Sequence, residues 1–249
     1  MTVAAPTLSD SPSRTFRWGV VLFPGSNCEH DTVHVLRDVL GYEAEIVWHA
    51  EQDLSCYDGL VLPGGFAHGD YLRAGAVARF SPIMDAVTRF AETGKPVIGI
   101  CNGFQVLLEA GLLPGAMLRN RKGYVCRWVH LRVENTDSPF LSGYREGEVL
   151  RIPIAHGEGN YYADPDVLAR MEENRQILLR YCDPAGELSE VANPNGATAH
   201  IAGISNERGN VMGLMPHPER ASEEELGSVD GRRMFESIVR SFGRANSEG

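Results

Sequence analysis

The stretch Val97-Ile98-Gly99-Ile100-Cys101-Asn102-Gly103-Phe104-Gln105-Val106-Leu107 reads VIGICNGFQVL. An apolar run ends at a cysteine, a glycine stands two residues away on either side, and helical spacing begins at once. Strand, nucleophile, helix is the order of a nucleophile elbow, here with Cys in place of Ser. A tight turn crowds the residues that flank Cys101, and Gly99 and Gly103 remove that crowding. The helix that follows points its free N–H groups and positive dipole end at the thiol, which favours the thiolate. The backbone amide of Asn102 is then placed to donate to an oxyanion. A buried thiol that merely fills space, the common role of free cysteine, needs none of this context.

Outward from the elbow, short apolar runs alternate with longer helical patterns. Strands are predicted over Arg17 to Phe23, Ala44 to Trp48, Asp58 to Leu62 and Pro96 to Ile100. Helices are predicted over Cys28 to Leu40, roughly Gly75 to Glu92, and Gly103 to Ala110, with Gly41 and Gly111 as C-terminal stops. This alternation predicts an α/β fold: a mostly parallel central sheet with helices on both faces. The second half changes character. Cys126 to Glu134, Val149 to Ala155 and Gln176 to Tyr181 are strand-like with short connections, predicting an antiparallel extension. A late strand over Val211 to Met215 and a closing helix over Gly231 to Phe242 complete the pattern. One domain over 17–242 is expected, with a disordered lead at 1–16, rich in Ser, Thr, Pro and Ala, and a tail at 243–249.

Composition excludes several roles. The chain has 249 residues and a formal net charge of −10, which argues against nucleic-acid binding. Its one basic cluster, Arg119-Asn120-Arg121-Lys122, reads as a solvated loop. Five cysteines with no C-x-x-C pair argue against a zinc ribbon or a disulfide framework, and favour a reducing, cytoplasmic setting. No signal peptide is recognisable, and no apolar run approaches the ~20 residues that span a bilayer. His30 and His34 stand one helical turn apart without a ligand set around them, so no metal is expected. A phosphate-binding G-x-x-x-x-G-K-[ST] loop is missing, so ATP chemistry is not expected on this chain.

A cysteine nucleophile needs a histidine, and the histidine needs a third group to hold its tautomer. His68 in PGGFAHGD, His156 in AHGEG and His217 in Met215-Pro216-His217-Pro218-Glu219 are the candidates. His217 is the strongest: it follows a strand end, prolines on both sides stiffen it, and Glu219 leans the same way two residues on. Pro63-Gly64-Gly65 follows the third strand, where glycine backbone can approach a ligand and offer a second oxyanion donor. Cys28, several residues past the first strand in PGSNCEHD, is the rival thiol.

Gly99-x-Cys101-x-Gly103-x-Gln105, with Pro63-Gly64-Gly65 before it and His217-Pro218-Glu219 after it, resembles the class I (triad) glutamine amidotransferases. FPGSNCEHD, PGGFAHGDYLRAGAVARFSP and MPHPERASE look like their glutaminase subunits in purine biosynthesis. The likeness runs from about Trp18 to Phe242. It implies a flavodoxin-like three-layer sandwich and glutamine hydrolysis through a cysteine thioester. Cys101 would be the nucleophile, His217 the proton carrier and Glu219 its orienter. Gly65 and Asn102 would form the oxyanion hole, and Gln105 would help recognise glutamine. His156 to Gly159 would line the glutamine site. Ammonia would pass to a large synthetase subunit that holds ATP and Mg, bridged by a small third subunit, to convert formylglycinamide ribonucleotide to the amidine. No cofactor is implied on this chain. Two other readings stay open from the residues alone: a freestanding cysteine hydrolase of the same fold, and a non-catalytic module with Cys101 as a redox sensor.

Overall fold

The computed structural model describes residues 15–243. Most of the expected disordered lead (1–14) and tail (244–249) lies outside the described residues. Phe16, at the inner end of that lead, is buried against Trp18 with ring centroids 4.9 Å apart.

Eleven strands are present among the described residues: β1 Arg17–Leu22, β2 Glu43–Trp48, β3 Gly59–Leu62, β4 Val97–Ile100, β5 Ala116–Leu118, β6 Val125–Val133, β7 Val149–His156, β8 Asn160–Tyr162, β9 Ile177–Cys182, β10 Ile201–Ser205 and β11 Val211–Leu214. Nine form one sheet in the order β2-β1-β3-β4-β11-β10-β9-β6-β7, while β5 and β8 make a separate ribbon. The first five strands in that order are parallel. From β11 onward every pair is antiparallel. The parallel core with an antiparallel extension is as the sequence predicts.

Burial explains which strand sits where. Val20, Val61, Ile98, Met212 and their strand neighbours are buried on both faces, as continuous apolar runs in a parallel sheet must be. β2 carries Glu43 and Glu45 and is largely exposed; charge on an edge strand discourages pairing with another chain. The helices are α1 Glu29–His34, continued by a π-helical turn to Val39, α2 Ile83–Glu92, α3 Asn102–Glu109, α4 Pro165–Glu173 and α5 Arg232–Gly243. Gly41 and Gly111 end their helices at φ +74° and +72°, the left-handed conformation expected of such stops.

Three local expectations fail for identifiable reasons. The long helix expected from Gly75 starts only at Ile83, because Pro82 drives Ser81 into an extended conformation at ψ 142°. Only a single tight turn, Ala78–Phe80, precedes it. β10 was not expected, although IAGIS is an apolar run joined to β11 through the turn SNERGN. The helix α4 and the β5–β8 ribbon were likewise missed, being short and largely exposed.

The loops after β1, β3, β4 and β11 all leave the carboxyl edge of the parallel strands. In such sheets ligands bind there, where the connections diverge to opposite sides.

Candidate active site

Cys101 is the residue at which β4 becomes α3, and its backbone lies at φ 52°, ψ −104°. A non-glycine residue there is strained, and its neighbours hold it in place. Its N–H donates to Leu214 O of β11 at 2.8 Å, and its carbonyl accepts from Gln105 N at 3.2 Å. A Cβ on Gly99 would stand 2.7 Å from the carbonyl of Gly103. A Cβ on Gly103 would collide with the carbonyl of Leu62. Both flanking glycines are therefore demanded by close approach of backbone.

His217 follows β11 and is 2 % exposed. Its amide donates to Pro153 O of β7 at 2.9 Å, so the antiparallel extension fixes the start of this loop. Its Nδ1 donates to Glu219 Oε1 at 2.6 Å. Its Nε2 has no hydrogen-bond partner among the described residues. Gly64 locates the ring: a Cβ added there would lie 2.8 Å from His217 Cε1, 3.0 Å from Cys28 Sγ and 3.5 Å from Cys101 Cβ. The bare α-carbon of Gly64 thus lies where the imidazole and both cysteines meet.

Electrostatics favour a charged ring. Burial by itself pushes His217 down, but the Glu219 carboxylate and then Cys101 more than reverse it, holding the imidazole well above the ordinary histidine range. An imidazolium beside Cys101 is the state this arrangement supports.

Gly65 stands at φ +141°, and a Cβ there would come 2.6 Å from the backbone N of Asn27. Its amide donates no hydrogen bond among the described residues, and Asn102 opens α3, where the first N–H groups lack a partner within the helix. The Asn102 side chain joins the two loops: its Oδ1 accepts from Ala67 N at 2.9 Å, just past Gly65. On the other side, the turn after β1 braces the glycine loop, since Asn27 N and Cys28 N both donate to Gly64 O at 3.4 and 3.3 Å.

A strained thiol, an imidazole oriented by a carboxylate, and two available amides are the equipment of acyl transfer. The model of the CobB/CobQ-like glutamine amidotransferase domain matches residues 15–241. This chain belongs to the glutamine amidotransferases. It is 58% identical over 224 residues to the phosphoribosylformylglycinamidine synthase subunit PurQ of Moorella thermoacetica, covering 90% of this chain and 95% of that one. The PurQ subunit of Gloeobacter violaceus is 59% identical over 226 residues, covering 90% and 97%. The solved structure of PurLQS from Thermotoga maritima superposes with a TM-score of 0.81 at 46% identity, covering 91% of this chain and 98% of the matched chain.

In this amidotransferase Gln105 is fully engaged. Its Oε1 accepts from Asn102 Nδ2 at 2.9 Å and its Nε2 donates to Glu158 O at 2.5 Å. It thereby ties α3 to the loop His156–Gly159. That loop is knit by Asn120, whose Nδ2 donates to His156 O at 2.8 Å and whose Oδ1 accepts from Gly159 N at 2.8 Å. Asn120 is buried within the basic cluster that reads as solvated, while Arg119, Arg121 and Lys122 are exposed as expected. His156 is buried, and its Nε2 accepts from Asn195 Nδ2 at 3.1 Å. Burial, and then the charge of His217, push its pKa down to about 3, so it stays neutral.

His68 lies elsewhere, with Nε2 3.1 Å from Ser81 Oγ and its ring against His49. His34 instead pairs with Asp38 and Glu223 at the surface. The sequence reading missed Asp70, whose Oδ1 accepts from Asn102 Nδ2 at 3.1 Å and whose pKa is pushed up to about 6, by burial first and Glu158 second. It also missed Asn195 and Tyr181, which join His156 in a buried chain of hydrogen bonds. Asn195 and Tyr181 lie in no motif, and Asp70, although it ends PGGFAHGD, is brought to Asn102 only by the fold.

Proposed function

We propose that this chain is the glutaminase subunit of phosphoribosylformylglycinamidine synthase, acting in the cytoplasm in purine biosynthesis. The observation that carries the reading is the buried Cys101–His217–Glu219 set at the carboxyl edge of the sheet, in a chain so similar to PurQ subunits.

The Cys101 thiolate attacks the side-chain amide carbon of L-glutamine. A C–S bond forms, and the carbonyl electron pair moves onto oxygen, held by the amides of Gly65 and Asn102. The His217 imidazolium gives its proton to the amide nitrogen, the C–N bond breaks, and ammonia leaves a thioester. Neutral His217 then takes a proton from water as the water oxygen attacks that thioester. That transfer restores the imidazolium, and collapse expels the Cys101 thiolate and releases the product acid, which gives its proton to solvent to become glutamate. Glu219 keeps the ring in one tautomer and stabilises its charge throughout. Gln105 acts mainly by holding the His156–Gly159 loop against α3, and so shapes the glutamine pocket.

Ammonia is protected from water only if it leaves into a partner. The partner is the large synthetase subunit, which holds ATP and Mg and makes formylglycinamidine ribonucleotide, with a small subunit bridging the two. The freestanding hydrolase and the redox module are less well supported, since neither calls for a PurQ-like sequence over the whole chain. The test is to mix this chain with the synthetase and bridging subunits, ATP, Mg, glutamine and formylglycinamide ribonucleotide. Glutamine-dependent amidine formation is expected, and glutaminase activity should rise on mixing. No amidine from glutamine, while added ammonia still supports its formation, would refute the assignment.

A further inference from the structure

Two backbone amides, Gly65 after β3 and Asn102 at the start of α3, must face one oxyanion. They belong to different segments, and one side chain ties the segments together. Asn102 is 1 % exposed, and its amide group makes three hydrogen bonds. Its Oδ1 accepts from Ala67 N at 2.9 Å, and its Nδ2 donates to Asp70 Oδ1 at 3.1 Å and to Gln105 Oε1 at 2.9 Å. Two of these three bonds reach the loop after β3.

That loop does not hold itself. His68, Gly69, Asp70 and Leu72 stand at φ 53°, 69°, 51° and 71°, in the left-handed region. Three of the four are not glycine, and such strain persists only where the surroundings over-determine the backbone. The upstream end is bound to the turn after β1: Phe66 N donates to Gly25 O at 2.9 Å, and His68 N to Pro24 O at 2.6 Å. Beyond His68 the chain reaches the first turn of α3 through the Asp70 carboxylate.

We propose that Asp70 is a positioning residue for the oxyanion hole: by holding the Asn102 side chain, its carboxylate clamps the loop after β3 to the first turn of α3 and fixes the Gly65 and Asn102 amides relative to each other. The residue type suits the task twice. Aspartate tolerates the left-handed backbone better than most side chains. Its charge strengthens the bond from Asn102 Nδ2, and negative charge is favoured beside a helix N-terminus. Burial and then Glu158 raise its pKa to about 6, so at neutral pH it is still largely ionised. Among the described residues no hydrogen bond joins Asp70 to Cys101 or His217, so its influence passes through Asn102. A misplaced hole is felt only as the oxyanion forms, so kcat falls while KM for glutamine stays. Losing an oxyanion donor outright costs on the order of 100- to 1000-fold in kcat, and a displacement near 1 Å about 100-fold. A loosened clamp falls below these limits, at about 10- to 100-fold.

The test measures glutaminase kcat and KM of the full chain, mixed with the synthetase and bridging subunits, for wild type, Asp70→Ala, Asp70→Gly and Asp70→Asn. Alanine and glycine both remove the acceptor, glycine without backbone strain. Both should lose about 10- to 100-fold in kcat at unchanged KM. Asparagine keeps an oxygen for Asn102 Nδ2 and tolerates the same backbone, so it should recover most of the loss. Iodoacetamide alkylates a thiolate by displacing iodide from a saturated carbon and forms no oxyanion. Its rate at Cys101, followed by mass spectrometry, should be the same in all four proteins. Wild-type kcat in either the alanine or the glycine variant, a change in KM alone, no recovery with asparagine, or alkylation that slows in parallel with kcat would overturn the role. The role rests on the reading of Gly65 and Asn102 as oxyanion donors of a glutaminase; a wild-type complex without glutaminase activity would count against that reading instead.

Discussion

Gly64 has no side chain, and the space where one would begin is already occupied. A methyl group at this position would stand 2.8 Å from His217 Cε1 and 3.0 Å from Cys28 Sγ. Carbon atoms in contact sit about 3.5–4.0 Å apart, so the ring must retreat by roughly 0.7 Å or more. It has little freedom to do so: Pro216 and Pro218 stiffen its backbone, its amide is bonded to Pro153 O, and Nδ1 is bonded to Glu219. Gly64 is not in the left-handed region, so Gly64→Ala adds this clash without backbone strain. Overpacking of this kind costs about 1–3 kcal/mol. At about 2–4 °C per kcal/mol for a chain of this size, Tm should fall by roughly 2–12 °C. Activity should suffer far more, since a displacement near 1 Å at reacting groups costs on the order of 100-fold. The assays are thermal unfolding by circular dichroism and glutaminase kcat/KM on the folded variant. A folded Gly64→Ala protein with wild-type kcat/KM would refute the placement of His217 over Cys101.

Three further outcomes follow from the site. Cys101→Ala should abolish glutamine-dependent amidine synthesis by the reconstituted complex yet leave synthesis from added ammonia intact; loss of both would show that the residue matters for folding or assembly. Glu219→Gln removes the carboxylate that keeps His217 protonated, so the ring-proton resonances of His217 should titrate at lower pH than in wild type, and an unchanged titration would exclude Glu219 as the orienting group. His156 has a folded pKa of about 3 against 6.5 for the free side chain, so as pH falls the unfolded chain takes up the proton first. Its contribution to stability is therefore complete above about pH 6.5 and is lost as pH falls towards 3, at up to ~1.4 kcal/mol per pH unit. Urea unfolding at several pH values should show this slope in wild type and a shallower one in His156→Asn; equal slopes would show that His156 titrates normally.

The legible part of the site was the part written in local sequence. Gly99, Cys101 and Gly103 announce a turn whose tightness excludes side chains, and contacts among Gly99, Gly103 and Leu62 bear that out. His217 and Glu219 are two residues apart, so their hydrogen bond could be read from an extended segment. The long helix from Gly75 was misread because apolar spacing was weighed above the conformational veto of Pro82. Asp70, Asn120, Asn195 and Tyr181 escaped because isolated polar residues carry no period. Their roles consist of hydrogen bonds across the fold, such as Asn195 to both His156 and Tyr181. Gln105 was legible as important, but not as a strut between α3 and the loop His156–Gly159.

By itself the sequence determined the alternation of strands and helices, the cysteine elbow and the histidine–carboxylate pair, because each depends on neighbours within a few positions, where side-chain period and backbone sterics act directly. Only the tertiary structure decided that Gly64 is the meeting point of Cys101, His217 and Cys28, that β7 anchors the histidine loop, and that a second thiol shares the imidazole's surroundings. Those facts depend on strand order in the sheet. The order is set by burying apolar faces drawn from the whole chain, and no short window of residues contains it.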